Sequence, residues 1–330
     1  MRRGKSADGP TLLVASTGGH LEELYRLKDS LVPASQGVEW VTFDAPQSRS
    51  LLDGETVHHV PYIAPRAYRA AASSLTSARR IIRTGGYARV VSTGSGMAVP
   101  LLAMARAHGT PCHYIESAAR SRGPSFTGKV VARIPGVRPY TQYPGWSGPR
   151  WAYRGSIFDG FVADSPIRVR SEPAARVVVT LGTMRTYGFR RAVEHLAKVL
   201  PEVTTPDAQV KWQVGVTELS GLQVHGRTFD TLPTHELRAA IAEADLVVAH
   251  AGVGSALTAL EAGRAPVLLP RLQAHDEHVD DHQKYIADEL SNRGLAVSRD
   301  PAELTAEDLV LAMSMSVQQT STPPPFELST

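Results

Sequence analysis

LVVAHAGVGSALTALEAGRAPVLLPRLQAHDEHVDDHQ, residues 246–283, is the stretch from which the fold can be read. Leu246 to Ala249 is a short apolar run of strand length, and Gly252 and Gly254 punctuate a turn. A helical segment carrying Glu261 follows, then a second apolar run, Pro266 to Leu269, and a loop ending in Asp281, His282 and Gln283. Strand, turn, helix and strand in that order make a βαβ unit, which belongs to a parallel sheet. The turn has a chemical use. Glycines at a helix start let backbone N–H groups approach a phosphate, and the positive end of the helix dipole favours the anion. Glu261, two turns further along, is placed to reach the hydroxyls of a ribose. These features describe a pocket for a nucleotide diphosphate. The sequence has no G-x-x-x-x-G-K-[ST] phosphate loop, so nothing supports an ATPase.

The chain of 330 residues suits two domains of about 150 residues each. With 42% apolar and 20% charged residues it has material for two cores. No run of 18 apolar residues and no apolar segment after the charged N-terminus predicts a membrane span or secretory signal. Cys112 is the single cysteine and can form no internal disulfide, so the expected location is cytoplasmic. The net charge of +3 hides an asymmetry. Residues 1–150 hold 19 Lys and Arg against 9 Asp and Glu, or +10, whereas residues 151–330 hold 16 against 23, or −7. A basic half suits an anionic partner: nucleic acid, a phosphate-bearing acceptor or an anionic membrane. No recognised nucleic-acid motif or aromatic platform is present, and nucleic acid is not expected.

Working outward, the same unit recurs. Thr11 to Ala15 reads as a strand, Gly18 and Gly19 as a turn, and Leu21, Leu24, Leu27 and Leu31 as one face of a helix. Strands are predicted at Val38 to Phe43, Val57 to Tyr62, Arg89 to Ser92 and Cys112 to Ile115. The segment RAYRAAASSLTSARRIIRTGG, with Arg66, Arg69, Arg79, Arg80 and Arg83, reads as a basic helix, either membrane-facing or a solvated connection. A second glycine turn, Gly94-Ser95-Gly96, follows the fourth strand. Residues 121–149, rich in Gly, Pro, Ser and aromatics, read as a long loop, and 151–173 as an interdomain linker. Residues 1–10 and 317–330 have the composition of disordered ends. Between them lie an N-terminal domain, 11–150, and a second α/β series, 174–316, in which Thr234 is an expected helix cap and Thr305 with Asp308 has capping-box spacing. Alternating strands and helices predict doubly wound parallel sheets, whose ligands sit at the carboxyl ends of the strands. Both N-terminal glycine turns and Glu116 fall at such ends.

Two such domains facing across a cleft are the GT-B glycosyltransferase arrangement, and the motifs agree. The segments VVVTLGT, AHAGVGSALTALEAG, PVLLP and DDHQKYIADEL resemble family 28 glycosyltransferases and the catalytic subunit of the UDP-GlcNAc transferase of dolichol-linked glycan assembly. STGGHLEEL, STGSGMAVPLL and YIESAARSRGPSFTGKVVARI are similar to the acceptor-side subunit of that enzyme and to paired bacterial polysaccharide transferases. The resemblance spans about residues 11–300 and implies both halves fused in one chain. It implies that Gly182, Thr183 and the turn His250, Gly252, Val253, Gly254 and Ser255 hold the donor diphosphate. Glu261 would bind the ribose, the region of Phe229 the uracil, and Asp281 with Gln283 the sugar. The acceptor would meet Thr17, Gly18, Gly19, Gly94, Ser95, Gly96, Ser117 and Arg120. Acceptor-side subunits of that family carry a hydrophobic N-terminal membrane segment that this sequence does not show, so the expected membrane contact is peripheral, at the inner face.

The resemblance implies inversion at the anomeric carbon in one displacement, which needs a base for the acceptor hydroxyl. His20 and Glu116 are the candidates, with His20 preferred because imidazole titrates near neutral pH. The helix start at Gly252 to Ser255, with Arg185, would stabilise the leaving UDP, so no cofactor and no metal are expected. The cluster His250, His275, His278 and His282 among Asp276, Glu277, Asp280 and Asp281 invites a metal, but HDEHVDDH is not H-E-x-x-H and the family motif accounts for it. The expected function is transfer of a sugar, GlcNAc on the resemblance, from UDP to a lipid-linked or small natural-product hydroxyl. The competing readings are a UDP-GlcNAc 2-epimerase, which shares the architecture, and a non-catalytic nucleotide-sugar-binding subunit.

Overall fold

The computed structural model describes residues 9–61, 68–164, 172–184, 186–321 and 324–328. The chain forms two compact units, Met1–Asp159 with Pro324–Thr330, and Gly160–Pro323. The first is built on seven strands: β1 (Thr11–Ala15), β2 (Val38–Phe43), β3 (Thr56–Val60), β4 (Arg89–Gly94), β5 (Cys112–Ile115), β6 (Val137–Thr141) and β7 (Ala152–Tyr153). Their spatial order is β3-β2-β1-β4-β5-β6-β7, and every neighbouring pair is parallel. Every residue of β1, TLLVA, is buried, which is why its sequence shows a continuous apolar run rather than an alternation.

Five helices connect these strands: α1 (Gly19–Leu31), α2 (Pro46–Leu51), α3 (Tyr68–Gly85), α4 (Ala98–Ala107) and α5 (Phe126–Val131). Helix α1 buries Leu21, Leu24, Leu27 and Leu31, the predicted face, together with Glu23. In α3, Ala78, Ile81 and Ile82 join the core while Arg79, Arg80 and Arg83 stay exposed. Arg66 lies outside the described residues.

The second unit repeats the plan. Its strands are β8 (Phe161–Ala163), β9 (Ala174–Thr180), β10 (Thr204–Gln213), β11 (Arg227–Phe229), β12 (Leu246–His250), β13 (Val267–Leu269), β14 (Val297–Ser298) and β15 (Val317–Gln319). Six of them form a parallel sheet, β11-β10-β9-β12-β13-β14. Its helices are α6 (Arg190–Val199), α7 (Thr234–Glu243), α8 (Val253–Glu261), α9 (His282–Asn292) and α10 (Ala306–Ser314). Side chains alternate across β9: Val177 and Val179 pack with Val193 and Leu196 of α6, and Val178 packs with Ala240 and Ile241 of α7. Thr305 and Asp308 cap α10 reciprocally, but α7 is capped by Pro233 without a side-chain bond, and Thr234 is its first residue.

Three expectations are corrected. The stretch 121–149 contains α5 and β6: Ser125 caps the helix through its hydroxyl to the Gly128 N–H at 3.0 Å, and parallel pairing to β5 supplies the backbone bonds of β6. The expected linker 151–173 contributes β7 to the first sheet and β8 to a two-stranded antiparallel pair with β15. That pair gives residues 317–319 an ordered place, and Phe326, 4% exposed, sits edge-on to Tyr140 at 5.8 Å; a lone aromatic in a polar tail is what anchors the end of the chain. Among the described residues no helix is long and apolar enough to cross a membrane.

Candidate active site

Each sheet reverses its winding between its first and fourth strands, and the crevice at such a reversal is where doubly wound sheets bind ligands. In the second unit the reversal lies between β9 and β12, with Thr180 opposite Ala249. The turn after β9, with Gly182 and Thr183, therefore lies beside the turn after β12. Between them stands the imidazole of His250. A Cβ on Gly182, whose φ is +86°, would lie 2.9 Å from the ring, and one on Gly252 only 2.4 Å from Nε2. The ring thus requires glycine at both positions. His250 Nδ1 is 3.3 Å from the Thr180 carbonyl and 3.4 Å from the Ser255 hydroxyl, and burial followed by the nearby Arg271 charge pushes its pKa down to about 4. It is a neutral spacer holding the two turns apart.

Helix α8 starts at this place with Gly252 as its cap and no side-chain cap bond. Its first N–H groups are consequently available to an anion. Val253 and Ser255 are half-buried, and Gly254 is exposed, with nothing within 4 Å of the point where a methyl would stand. Glu261 ends α8 and is exposed, about 12 Å along the axis from Val253 at 1.5 Å per residue. Phe229 ends β11 on the same edge of the sheet, with the Arg227 guanidinium 5.3 Å from its ring. Thr183 is exposed, and Arg185 lies outside the described residues.

The loop from β13 to α9 is fixed by Arg271, which sequence reading passed over. It is 2% exposed, donates to the carbonyls of Leu181 at 2.5 Å, Tyr187 at 2.9 Å and Glu277 at 3.3 Å, and lies 5.2 Å over the Phe189 ring. Its backbone N–H donates to Gln283 Oε1 at 3.1 Å, so Gln283, 3% exposed, is turned into the loop. Asp281 Oδ1 accepts from the Gln273 N–H at 2.8 Å. The signal in the sequence was an arginine two residues past the end of an apolar strand.

In the first unit the reversal lies between β1 and β4, where Ala15 pairs with Gly94. Gly18, at φ +98°, caps α1 without a side-chain bond, and Gln47 accepts from its N–H at 2.6 Å. Thr17 is half-buried and Gly19 exposed. His20 packs on the other turn: a Cβ on Gly94, at φ +125°, would lie 3.1 Å from its Cε1. Its Nδ1 is buried with no hydrogen-bond partner among the described residues, and burial, with the Arg120 charge adding to it, lowers its pKa below 6.5. Ser95 also adopts a left-handed φ of +81° and buries a hydroxyl without a partner among the described residues, while Gly96 is exposed. Strain of about 1–2 kcal/mol at a non-glycine residue is characteristic of functional turns.

Glu116 is placed differently. It is 1% exposed, and its carboxylate accepts from the Ser125 N–H at 2.9 Å, the Ser125 hydroxyl at 3.2 Å, the Ser117 N–H at 3.3 Å and the Tyr114 hydroxyl at 3.4 Å. It ties the strand end to the start of α5. The sequence reading missed Glu23, 2% exposed, which accepts from the Ser117 hydroxyl and the Ala118 N–H, both at 2.8 Å, and from the Gln142 amide. Burial raises its pKa to about 7 against these donors. Glu23 falls three residues after His20 and four before Leu27, an acid at apolar-face spacing, and that was the available signal. Ser117 is thereby held, and Arg120, whose carbonyl accepts from Trp146 Nε1 at 3.1 Å, follows on the same loop.

Two Rossmann-like halves, each with glycine turns at its reversal point, are the plan of the GT-B glycosyltransferase fold. Residues 176–323 match the glycosyltransferase family 28 C-terminal domain, and the second unit carries that domain. A UDP-N-acetylglucosamine–N-acetylmuramyl-(pentapeptide) pyrophosphoryl-undecaprenol N-acetylglucosamine transferase of Synechococcus sp. is 28% identical over 293 residues, covering 82% of this chain and 75% of its own. Among solved structures, MurG of Acinetobacter baumannii is 20% identical with a TM-score of 0.58, covering 91% of this chain and 89% of that one. The glycosyltransferase SnogD of Streptomyces nogalater is likewise 20% identical, with a TM-score of 0.57 and coverages of 93% and 90%.

Proposed function

We propose that the chain transfers GlcNAc from UDP-GlcNAc to a hydroxyl of a sugar carried on a pyrophosphoryl-polyprenol, with inversion and without an obligatory metal. The observation that carries this reading is the uncapped start of α8 beside His250, within the family 28 domain. Its N–H groups receive the donor diphosphate, and as the sugar–phosphate bond breaks they stabilise the charge that builds on the departing UDP. Glu261 accepts from the ribose hydroxyls; side chains on a helix lean towards its N-terminus, which brings the carboxylate back towards the diphosphate. Phe229 borders the uracil, and Asp281 and Gln283 shape the place of the sugar. The acceptor class follows the curated relative, whose substrate is a pyrophosphoryl-undecaprenol. Two uncapped helix starts in the first unit, α1 and α4, suit its pyrophosphate.

His20 is the base. Its depressed pKa keeps the ring neutral at pH 7, so an unprotonated ring nitrogen can take the proton from the attacking hydroxyl. Because the base acts unprotonated, transfer falls as pH drops through that depressed value. Glu116, with four donors on its carboxylate, orders the loop that carries Ser117 and Arg120. The test pairs two variants of the purified protein. Glu261→Ala should weaken UDP binding by about tenfold or more in calorimetry. His20→Ala should keep wild-type UDP affinity and lose about 10²–10⁴-fold in transfer rate. Wild-type UDP binding in the first variant, or wild-type transfer in the second, would sink the assignment.

A further inference from the structure

The loop entering α9 brings His278, Asp280 and His282 together, with one ligand-capable atom of each within 4.8 Å of the other two. The two imidazoles meet edge to face at 4.6 Å, and Asp280 Oδ1 contacts Nδ1 of both rings. We propose that His278, Asp280 and His282 bind one transition-metal ion of the zinc class, at a site separate from the residues that hold the nucleotide sugar.

The alternation of the loop makes the three side chains converge. Glu277, Asp281 and Gln283 are tied back to Arg191, Gln273 and Arg271, whereas positions 278, 280 and 282 share the other side. The frame beneath them is stiff. Glu277, 4% exposed, accepts from Arg191 Nε and Nη2 at 3.0 Å each and from the Leu272 N–H at 3.1 Å. His278 is 6% exposed and lies 6.4 Å from the Tyr187 ring in a stacked arrangement. Two imidazoles and one carboxylate select zinc, copper or nickel over magnesium or calcium, which take oxygen ligands. Ligands bound at about 2.0–2.2 Å in a tetrahedron lie ~3.4 Å apart, a spacing inside the 4.8 Å that encloses these three atoms. Three protein ligands leave one position for water, and no step of the transfer runs through the ion.

The test uses the full chain freed of metal by chelator and without nucleotide, so its outcome does not depend on the donor reading. Zn²⁺ titrated by calorimetry should bind with one equivalent, and Co²⁺ should develop the visible absorption of a low-symmetry site. His282→Ala and Asp280→Asn should each weaken binding by about tenfold or more. These half-buried positions carry the test, since replacing the buried His278 can disturb the loop. His275→Ala, exposed in the same loop but outside the set, should bind as wild type. The site is disproved if the wild type binds no tighter than the His282→Ala/Asp280→Asn double variant, or if His275→Ala loses as much as they do.

Discussion

His20 and His250 occupy related positions: each belongs to one glycine turn of its sheet and rests against the glycine of the other. That makes the glycines separable by role. Gly252 is a packing glycine, because a methyl there would lie 2.4 Å from His250 Nε2 and a ring wedged on both sides has little room to yield. Gly254 is not; nothing lies within 4 Å of its methyl position, and it sits inside α8, where alanine is favoured by about 1 kcal/mol. Gly254→Ala should therefore hold or raise the melting temperature while weakening UDP binding, since at the proposed donor site the methyl would stand where the diphosphate approaches. Gly252→Ala should lower both. Thermal melts and UDP titrations of the two variants decide it; equal UDP affinity for Gly254→Ala and wild type would remove the diphosphate from this turn.

Helix α1 shows what an element adds to its residues. It carries His20 at its start and Glu23 one turn on, and Glu23 fastens the Ser117–Ala118 backbone and Gln142 across the sheet ends. Its folded pKa of about 7 lies above the 4.5 of the free side chain, so between these values the folded state holds the extra proton. Stability is then greatest below about pH 4.5 from this group and declines as pH rises through 7, by an amount of order 3 kcal/mol. In Glu23→Gln the slope of melting temperature against pH between 5 and 8 should flatten; an unchanged slope would assign the pH dependence elsewhere. The same helix marks what could be read in advance. Its leucine face, the buried strands and the glycine turns are local patterns with periods of 3.6 and 2, and their positions followed from sequence. The partners of Glu23 lie 94 and 95 residues away, and no local pattern records them. The donors of Glu116, by contrast, are near in sequence, at Tyr114, Ser117 and Ser125, but the turn that brings Ser125 back onto the carboxylate follows no periodic pattern. Helix α5 and β6 were hidden because Gly, Pro and Ser mark turns by propensity, whereas here tertiary pairing to β5 and the Ser125 cap decide.

At the scale of the whole chain, one doubly wound plan is used twice with opposite charge. Residues 1–150 carry +10 and residues 151–330 carry −7, so the first half is the one whose charge suits an anionic surface. On α3, Ala78, Ile81 and Ile82 join the core and Arg79, Arg80 and Arg83 are exposed, so this end of the helix would offer a membrane charge rather than an apolar face. Basic residues near an anionic leaflet contribute about 1 kcal/mol each, and the field falls off over a Debye length of about 10 Å at 0.1 M salt and about 3 Å at 1 M. The full chain should float with vesicles containing anionic phospholipid at low salt, stay behind with phosphatidylcholine alone, and be released by 1 M salt. The triple variant Arg79→Glu, Arg80→Glu, Arg83→Glu reverses the charge of the exposed face and should reduce flotation without altering UDP affinity, because its positions lie in the other unit from the donor turn. Equal flotation with neutral vesicles, or binding indifferent to salt and to the triple variant, would separate the charge of this half from the membrane and return it to the pyrophosphate of the acceptor.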